Sequence, residues 1–310
     1  MKFPIKIVSS KKLKLLWQIT TACTYTCSYC PKELHTGRSH DINLDELDIF
    51  LDKMSSKQFT VNFTGGEPTI HPQYLDVVRR LKQRNIKTIS DTNLSRSLRF
   101  YEEAGPLVDN WCVSIHPSML EWNEEKIRTL ANSSYTVVYL MMDPSHWDLA
   151  IKYWEILKTI PRIKIIVVKC LSNWSGSNWV GHYTQEQQEF FNTTPSIYTF
   201  TQEEIDNSKH KYEWLQDQAS NVTWNDGSTS MLEPNQLMKE GKHNFKGWSC
   251  EVGEEVVVIN PTCDISLGTC GTRHLGNWRD FDLSMLAEPI ICPRDFCHCG
   301  VDIKSTKTKL

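Results

Sequence analysis

The sequence contains no apolar run long enough to cross a bilayer: stretches such as Ile165-Ile166-Val167-Val168 and Val256-Val257-Val258-Ile259 end far short of the roughly 18 residues required. No membrane partner is expected. Residues 1–20 open with lysines, but their apolar stretch is interrupted and no small-residue cleavage site follows. This argues against a secretory signal and makes the cytoplasm the expected compartment. Net charge is also scarce. The 34 Lys and Arg against 37 Asp and Glu leave −3, so no broad positive field exists for anionic lipid or nucleic acid, and a nucleic-acid partner is not indicated. Internal repeats and low-complexity tracts are absent. What remains, 310 residues of which 40% are hydrophobic, suffices for one large domain and a smaller one.

Cysteine, by contrast, is abundant and unevenly spread. Of 11 cysteines, Cys23, Cys27 and Cys30 lie together near the start, and Cys250, Cys263, Cys270, Cys292, Cys297 and Cys299 lie near the end. Only Cys112 and Cys170 fall between, in apolar strands where a lone cysteine acts as a small hydrophobe. In a reducing compartment such clusters bind metal or do chemistry more often than they form disulfides, so two metal centres are expected.

Between them, short β-branched runs alternate with amphipathic stretches, the pattern of repeated βα units on a parallel sheet. Strands are predicted at 13–20, 59–64, 86–90, 108–116, 135–142 and 164–171, with helices at 44–54, 73–84, 98–104, 121–130 and 147–157. Six such units can close as a partial barrel or open as a doubly wound sheet, and either form gathers functional groups just beyond the strand C-termini. Residues 173–247 read as a connecting or substrate-lid segment, turn-rich at first, with helical patterns at 185–191 and 203–218. Trp174, Trp179, Trp214 and Trp224 there can stack on a ligand or simply pack. Strands at 255–259 and 264–267 flank a turn, so a hairpin opens a C-terminal module over 248–310, whose polar tail, 304–310, is expected to fray.

Cys23-x3-Cys27-x2-Cys30 follows directly on the first strand. Three thiolates in one tight loop suit an iron–sulfur cluster. Zinc would more naturally show paired C-x2-C motifs or matching histidines. Three ligands on a four-iron cube leave one iron with an open position for a reactant. The spacing, with Tyr29 before the last cysteine, resembles the radical S-adenosylmethionine (SAM) superfamily, whose loop reads C-x3-C-x-aromatic-C. The resemblance implies a partial (β/α)6 TIM-like barrel over 1–172. It also implies a [4Fe–4S] cluster on Cys23, Cys27 and Cys30 whose fourth iron is chelated by SAM, with Tyr29 near the adenine. One-electron cleavage of the sulfonium would then yield methionine and a 5′-deoxyadenosyl radical that abstracts hydrogen from an organic substrate.

Gly65-Gly66-Glu67-Pro68 ends the second strand and resembles the family's G-G-E-P, which recognises the methionyl ammonium. Adjacent glycines permit close backbone approach, and a carboxylate can accept a charge-assisted hydrogen bond, so Glu67 is the expected acceptor. Alone, the motif would be a strand-ending turn. Asn93 resembles the family's "TN" asparagine after the third strand, and Ser114 the fourth-strand contact to ribose or carboxylate; each can equally be a local cap. His116 stands where the family often has an acidic residue.

Six cysteines in the C-terminal stretch are too dense to be packing. Their arrangement resembles the SPASM and Twitch modules, small β-hairpin/α domains that hold an auxiliary [4Fe–4S] cluster. Cys250, Cys270, Cys297 and Cys299 are the favoured ligands with Cys292 an alternative, while Cys263 sits in the hairpin turn where such modules usually have glycine. A zinc knuckle is the competing interpretation.

The resemblance implies a radical enzyme that oxidises, crosslinks or rearranges a peptide or small molecule, supplied with electrons by a low-potential donor of flavodoxin or ferredoxin type. The residues before the first strand are too few for a leader-binding domain, which weighs against a peptide unless a separate protein binds the leader. Two other functions stay open: a non-catalytic zinc or iron–sulfur electron-transfer module, and a radical SAM enzyme acting on nucleotides or nucleic acid.

Overall fold

The computed structural model describes residues 2–9, 13–30, 36–119, 121–170, 183–194, 197–198, 220–232, 234–286, 288–297 and 299–310. The chain divides into two compact units, one of Gln18–Asp41 and Val61–Phe200, the other of Met1–Trp17, Ile42–Thr60 and Thr201–Leu310. Among the described residues no helix is long and apolar enough to cross a membrane.

The unit containing the first cysteines is built on the ends of the strands Leu13–Thr20 and Phe59–Gly65, from residues 18 and 61 onward, followed by Lys87–Thr92, Asn110–Ile115, Tyr135–Met142 and Ile165–Cys170, each strand hydrogen-bonded to the next. From Lys87–Thr92 onward the pairings are parallel, with Ile89 opposite Asn110, Asn110 opposite Tyr135 and Val137 opposite Ile165. This is the partial barrel, one of the two forms that the alternation of patterns left open and the one that the resemblance implies. A short strand, Ile197–Tyr198, adds antiparallel to the Ile165–Cys170 edge.

Crossover helices lay an apolar stripe on the sheet: Val77, Val78 and Leu81 in Tyr74–Gln83, and Ala150, Tyr153, Trp154 and Leu157 in Trp147–Leu157, all buried at helical spacing. The helix predicted at 121–130 instead runs Glu124–Ser133, because the Asn123 side chain accepts from the Lys126 amide and caps it there. A capping box of Thr184 and Gln187 starts Gln185–Thr193. The helix expected at 203–218, together with Trp174, Trp179 and Trp214, lies outside the described residues.

In the other unit, Val256–Ile259 and Asp264–Leu267 form the expected hairpin, with Val257 opposite Leu267. Arg273–Asn277 adds a third antiparallel strand that the sequence does not announce, since Arg-His-Leu-Gly-Asn carries no β-branched residue. Val256–Ile259 also pairs in parallel with residues 14–17, Ile259 opposite Trp17. Trp17, Phe50, Trp278 and Phe281 meet edge and face beside it.

The same unit holds a second sheet in the order Thr229–Leu232, Ser220–Trp224, Pro4–Val8, Lys307–Thr308, Ser249–Cys250 and Ile290–Ile291. The expectation of a frayed tail is therefore wrong. Lys307–Thr308 is an interior strand, paired with Pro4–Val8 on one side and Ser249–Cys250 on the other, and Ser305, Thr306 and Lys307 are buried. Polar residues are tolerated there because they are satisfied: the Glu255 carboxylate accepts from the Thr306 amide at 2.7 Å and from its hydroxyl at 2.5 Å. Trp224 packs among Ile7, Val222 and Phe245, so it fills a core, and Lys2 and Lys242 lie over its ring.

Candidate functional site

The cysteine loop leaves the Leu13–Thr20 strand through a fixed backbone. The Thr21 amide donates to the Arg38 carbonyl at 2.9 Å and the Ala22 amide to the Thr20 hydroxyl at 2.9 Å. The Cys30 amide closes a turn on the Cys27 carbonyl at 3.1 Å. Cys23 Sγ accepts from the Tyr25 amide at 3.4 Å and from Asn93 Nδ2 at 3.6 Å. Cys27 Sγ lies 3.5 Å from His116 Nδ1, and the Tyr29 hydroxyl lies 2.6 Å from the same nitrogen with the two rings stacked. Cys23, Cys27, Cys30, Tyr29, Asn93 and His116 thus come together at the C-terminal ends of three strands.

Burial raises all three thiols, Cys30 to about 11, and the neighbouring thiols push Cys27 and Cys30 further in the same direction. Burial likewise raises the Tyr29 and Tyr25 phenols, the latter to about 12. One buried and two half-buried sulfurs whose ionisation is disfavoured form a donor set that a cationic iron centre would relieve, since thiolate is the metal-binding form. Among the described residues, no three His, Cys, Asp or Glu side chains converge on one point as ligands of a single ion. Each thiolate of a cubane binds a different iron and need not do so.

The Gly-Gly-Glu-Pro turn is locked onto this loop. The Gly66 amide donates to the Thr20 carbonyl at 2.9 Å and the Glu67 amide to the Ala22 carbonyl at 2.8 Å. A Cβ on Gly65, whose φ is +124°, would lie 2.2 Å from the Thr20 oxygen, and one on Gly66 would lie 2.0 Å from the Ala22 oxygen. The glycines therefore serve the approach of one strand end to another. Pro68 opens the short turn Pro68–Ile70, where its missing amide hydrogen costs nothing.

The Glu67 carboxylate is 1% exposed. Oε1 accepts from the Thr69 amide, the Thr69 hydroxyl and, at 3.0 Å, the Thr92 hydroxyl, while Oε2 accepts from the Asn93 amide at 2.6 Å. It ties the second strand end to the third and thereby seats Asn93 beside Cys23. Burial raises its pKa to about 7 despite these donors.

Because the folded chain then holds this proton more tightly than the unfolded chain, the contribution to stability is full below pH 4.5 and is lost as pH rises through about 7. That gap corresponds to about 3 kcal/mol. Urea midpoints of the metal-free protein are expected to fall between pH 5 and pH 8 more steeply for wild type than for Glu67→Gln, which has no such proton. Parallel profiles would contradict the assignment.

Ser114 lies with Cys112 on the half-buried face of Asn110–Ile115, opposite the core face of Trp111, Val113 and Ile115. On Phe59–Gly65 the buried Asn62 amide oxygen has no hydrogen-bond partner among the described residues, an unsatisfied acceptor that a ligand can complete. Sequence reading missed Asp143, at the end of Tyr135–Met142. Its carboxylate accepts from the Ser145 amide at 2.9 Å and lies 3.2 Å from His146 Nδ1, and its charge helps raise Cys27 and Tyr29. Its signal was available, an acidic residue directly beyond a barrel strand.

In the other unit, Cys250 and Cys297 are buried, Cys270 and Cys299 are partly so, and Cys292 is partly buried on the rim. The Asp302 carboxylate fixes the Cys270 loop, accepting from the Cys270 amide at 2.9 Å and from the Thr269 amide at 3.0 Å. Burial raises the thiols of Cys250, Cys270, Cys297 and Cys299, with Cys250 adding to the rise at Cys270, and Cys270 and Cys299 to that at Cys297. This mutual influence links Cys270, Cys297 and Cys299 with Cys250, and Cys292 in turn adds to the rise at Cys250, so all five form a donor set suited to an iron–sulfur centre. Cys263 stands apart in the hairpin turn with φ +64°, the left-handed conformation glycine usually supplies.

Residues 17–164 match the family model described as the Radical SAM superfamily. Among curated relatives, the mycofactocin maturase MftC of Mycobacterium ulcerans is 31% identical over 114 residues, 34% of this chain and 28% of that protein. A probable GTP 3′,8-cyclase of Sulfolobus acidocaldarius is 32% identical over 92 residues, 29% of each. The chain thus spans under a third of the length of these relatives. Among solved structures, Streptococcus suis SuiB bound to S-adenosylmethionine superposes with a TM-score of 0.55 at 11% identity, covering 90% of this chain and 66% of SuiB. The structure of anSMEcpe with bound AdoMet and a Cp18Cys peptide gives 0.50 at 14%, covering 89% and 80%. At these identities the likeness is one of fold, a partial barrel with a C-terminal auxiliary module.

Proposed function

Because residues 17–164 belong to the radical SAM superfamily, we propose that the chain is a radical SAM enzyme that oxidises or crosslinks an organic substrate. Cys23, Cys27 and Cys30 would hold a [4Fe–4S] cluster, and four of the C-terminal cysteines, Cys250, Cys270, Cys297 and Cys299, would hold a second. When bound, the first cluster and SAM supply one-electron cleavage of the sulfonium and a radical able to take hydrogen from an unactivated C–H bond. The observation that carries this reading is the single strand-end assembly in which the cysteine loop, the Gly65-Gly66 approach, the Glu67 strut and Asn93 interlock.

Within that assembly Tyr29, stacked on His116, lines the place for the adenine. Gly65, Gly66 and Pro68 shape the backbone for the methionyl end, and Ser114 with Asn62 offers polar groups for the ribose or carboxylate. Glu67 acts there by holding Asn93, since most of its acceptor capacity is spent on the protein. A peptide is the favoured substrate, because structures with this fold include SuiB bound to precursor peptide SuiA and anSMEcpe with a peptide. A low-potential flavodoxin or ferredoxin supplies the electrons, in the cytoplasm.

Anaerobic reconstitution tests the reading. Brown iron–sulfur absorption and release of 5′-deoxyadenosine from SAM under dithionite are the expected results. Zinc as the sole bound metal would overturn it in favour of a structural metalloprotein.

A further inference from the structure

Lys307 is 2% exposed, an uncommon condition for a lysine. Its Nζ donates to three backbone carbonyls, Asp302 at 2.6 Å, Ser305 at 3.0 Å and Ile303 at 3.1 Å, and sits 4.8 Å from the centre of the Phe245 ring. Among the described residues no carboxylate oxygen lies within ion-pair distance of it. The nearby Asp302 carboxylate is turned instead to Thr269 and the Cys270 amide. Carbonyl dipoles satisfy the three N–H bonds but do not neutralise the charge, and a buried cation ordinarily requires an anionic partner.

Lys307 is the direct antiparallel partner of Cys250 in the sheet, and its charge opposes the burial-driven rise of the Cys250 and Cys297 thiols. We propose that Lys307 is a charge-compensating residue for the C-terminal metal centre, built into the fold to offset its thiolates and to ease its one-electron reduction. The inference rests on the reading that Cys250, Cys270, Cys297 and Cys299 hold an iron–sulfur cluster. One-electron reduction adds one negative charge to such a cluster, and net charge and burial set its potential. A fixed cation in a low-dielectric site stabilises the reduced form more than the oxidised one. Lys307 touches no reacting atom and is a positioning residue in this sense.

The test uses full-length chain in which Cys23, Cys27 and Cys30 are changed to alanine, so that remaining iron reports the C-terminal centre alone. After anaerobic reconstitution, ~4 irons per chain are expected, and EPR-monitored titration with dithionite gives the midpoint. Lys307→Met on this background is expected to retain the iron while the equilibrium constant for reduction falls at least tenfold, equivalent to 59 mV more negative; Lys307→Arg is expected to stay close to the parent.

Full iron with an unchanged midpoint in Lys307→Met would overturn the proposal while leaving the auxiliary centre intact. Absence of iron with Lys307 present would instead remove the centre itself, and the proposal with it. Should circular dichroism show Lys307→Met unfolded, protein labelled with 15N at lysine side chains decides the matter. A 15N coupling in pulsed EPR of the reduced centre supports the proposal, and its absence overturns it.

Discussion

Cys27→Ala is expected to abolish release of 5′-deoxyadenosine, bringing it to the background of dithionite alone, whereas Cys270→Ala and Cys297→Ala retain cofactor cleavage and lose substrate turnover. The asymmetry follows from the two groups of sulfurs. Cys27 contacts His116 and through it Tyr29, within the assembly that would hold SAM. Removing one of only three protein ligands leaves the cube two open irons, and a thiolate has no neutral substitute as a soft donor. Cys270 and Cys297 belong to the other set of thiols, beside Asp302 and Lys307. Chromatography of 5′-deoxyadenosine alongside substrate consumption separates the two outcomes. Equal loss of cleavage in all three variants would contradict separate roles.

Gly66→Ala is expected to destabilise the protein by more than about 4 kcal/mol and to prevent iron loading at the first cysteines. The added Cβ would sit 2.0 Å from the Ala22 oxygen and 2.6 Å from its carbonyl carbon, atoms of backbone that cannot rotate away. Relief requires separating the strand ends. That breaks the Gly66-to-Thr20 and Glu67-to-Ala22 hydrogen bonds and displaces the loop bearing Cys23. Gly227→Ala is the control. Nothing lies within 4 Å of its Cβ, and only its φ of +80° opposes the change, a cost of about 1–2 kcal/mol. Denaturant midpoints of the metal-free proteins compare the two. A Gly66→Ala protein within about 1 kcal/mol of wild type, on the scale of ordinary substitutions, would show that the contact yields.

Much of this was legible along the chain because it is local. Alternating β-branched and amphipathic segments produce the strands and helices of the barrel within a few residues of expectation, since side-chain periodicity is decided by near neighbours. The Cys23, Cys27 and Cys30 spacing at a strand end is likewise a property of one short loop. Where the local signal was weak, expectation failed. Arg273–Asn277 has no strand-forming composition and is held by pairing with Asp264–Leu267.

The sequence by itself determined the βα order, the position of the thiols at the strand termini and the density of cysteines near the end. Only the tertiary structure decided what the polar residues among them do. Glu67 reads as a free acceptor until Thr92 and Asn93 arrive from the next strand to occupy it. Lys307 reads as part of a loose polar tail until Pro4–Val8 and Ser249–Cys250 pair on either side of its strand, with Cys250 as its cross-strand partner, and it is buried. The physical reason is the same in both. A charged group's function depends on its desolvation and its partners, and these are brought together from distant stretches of chain that no local pattern records.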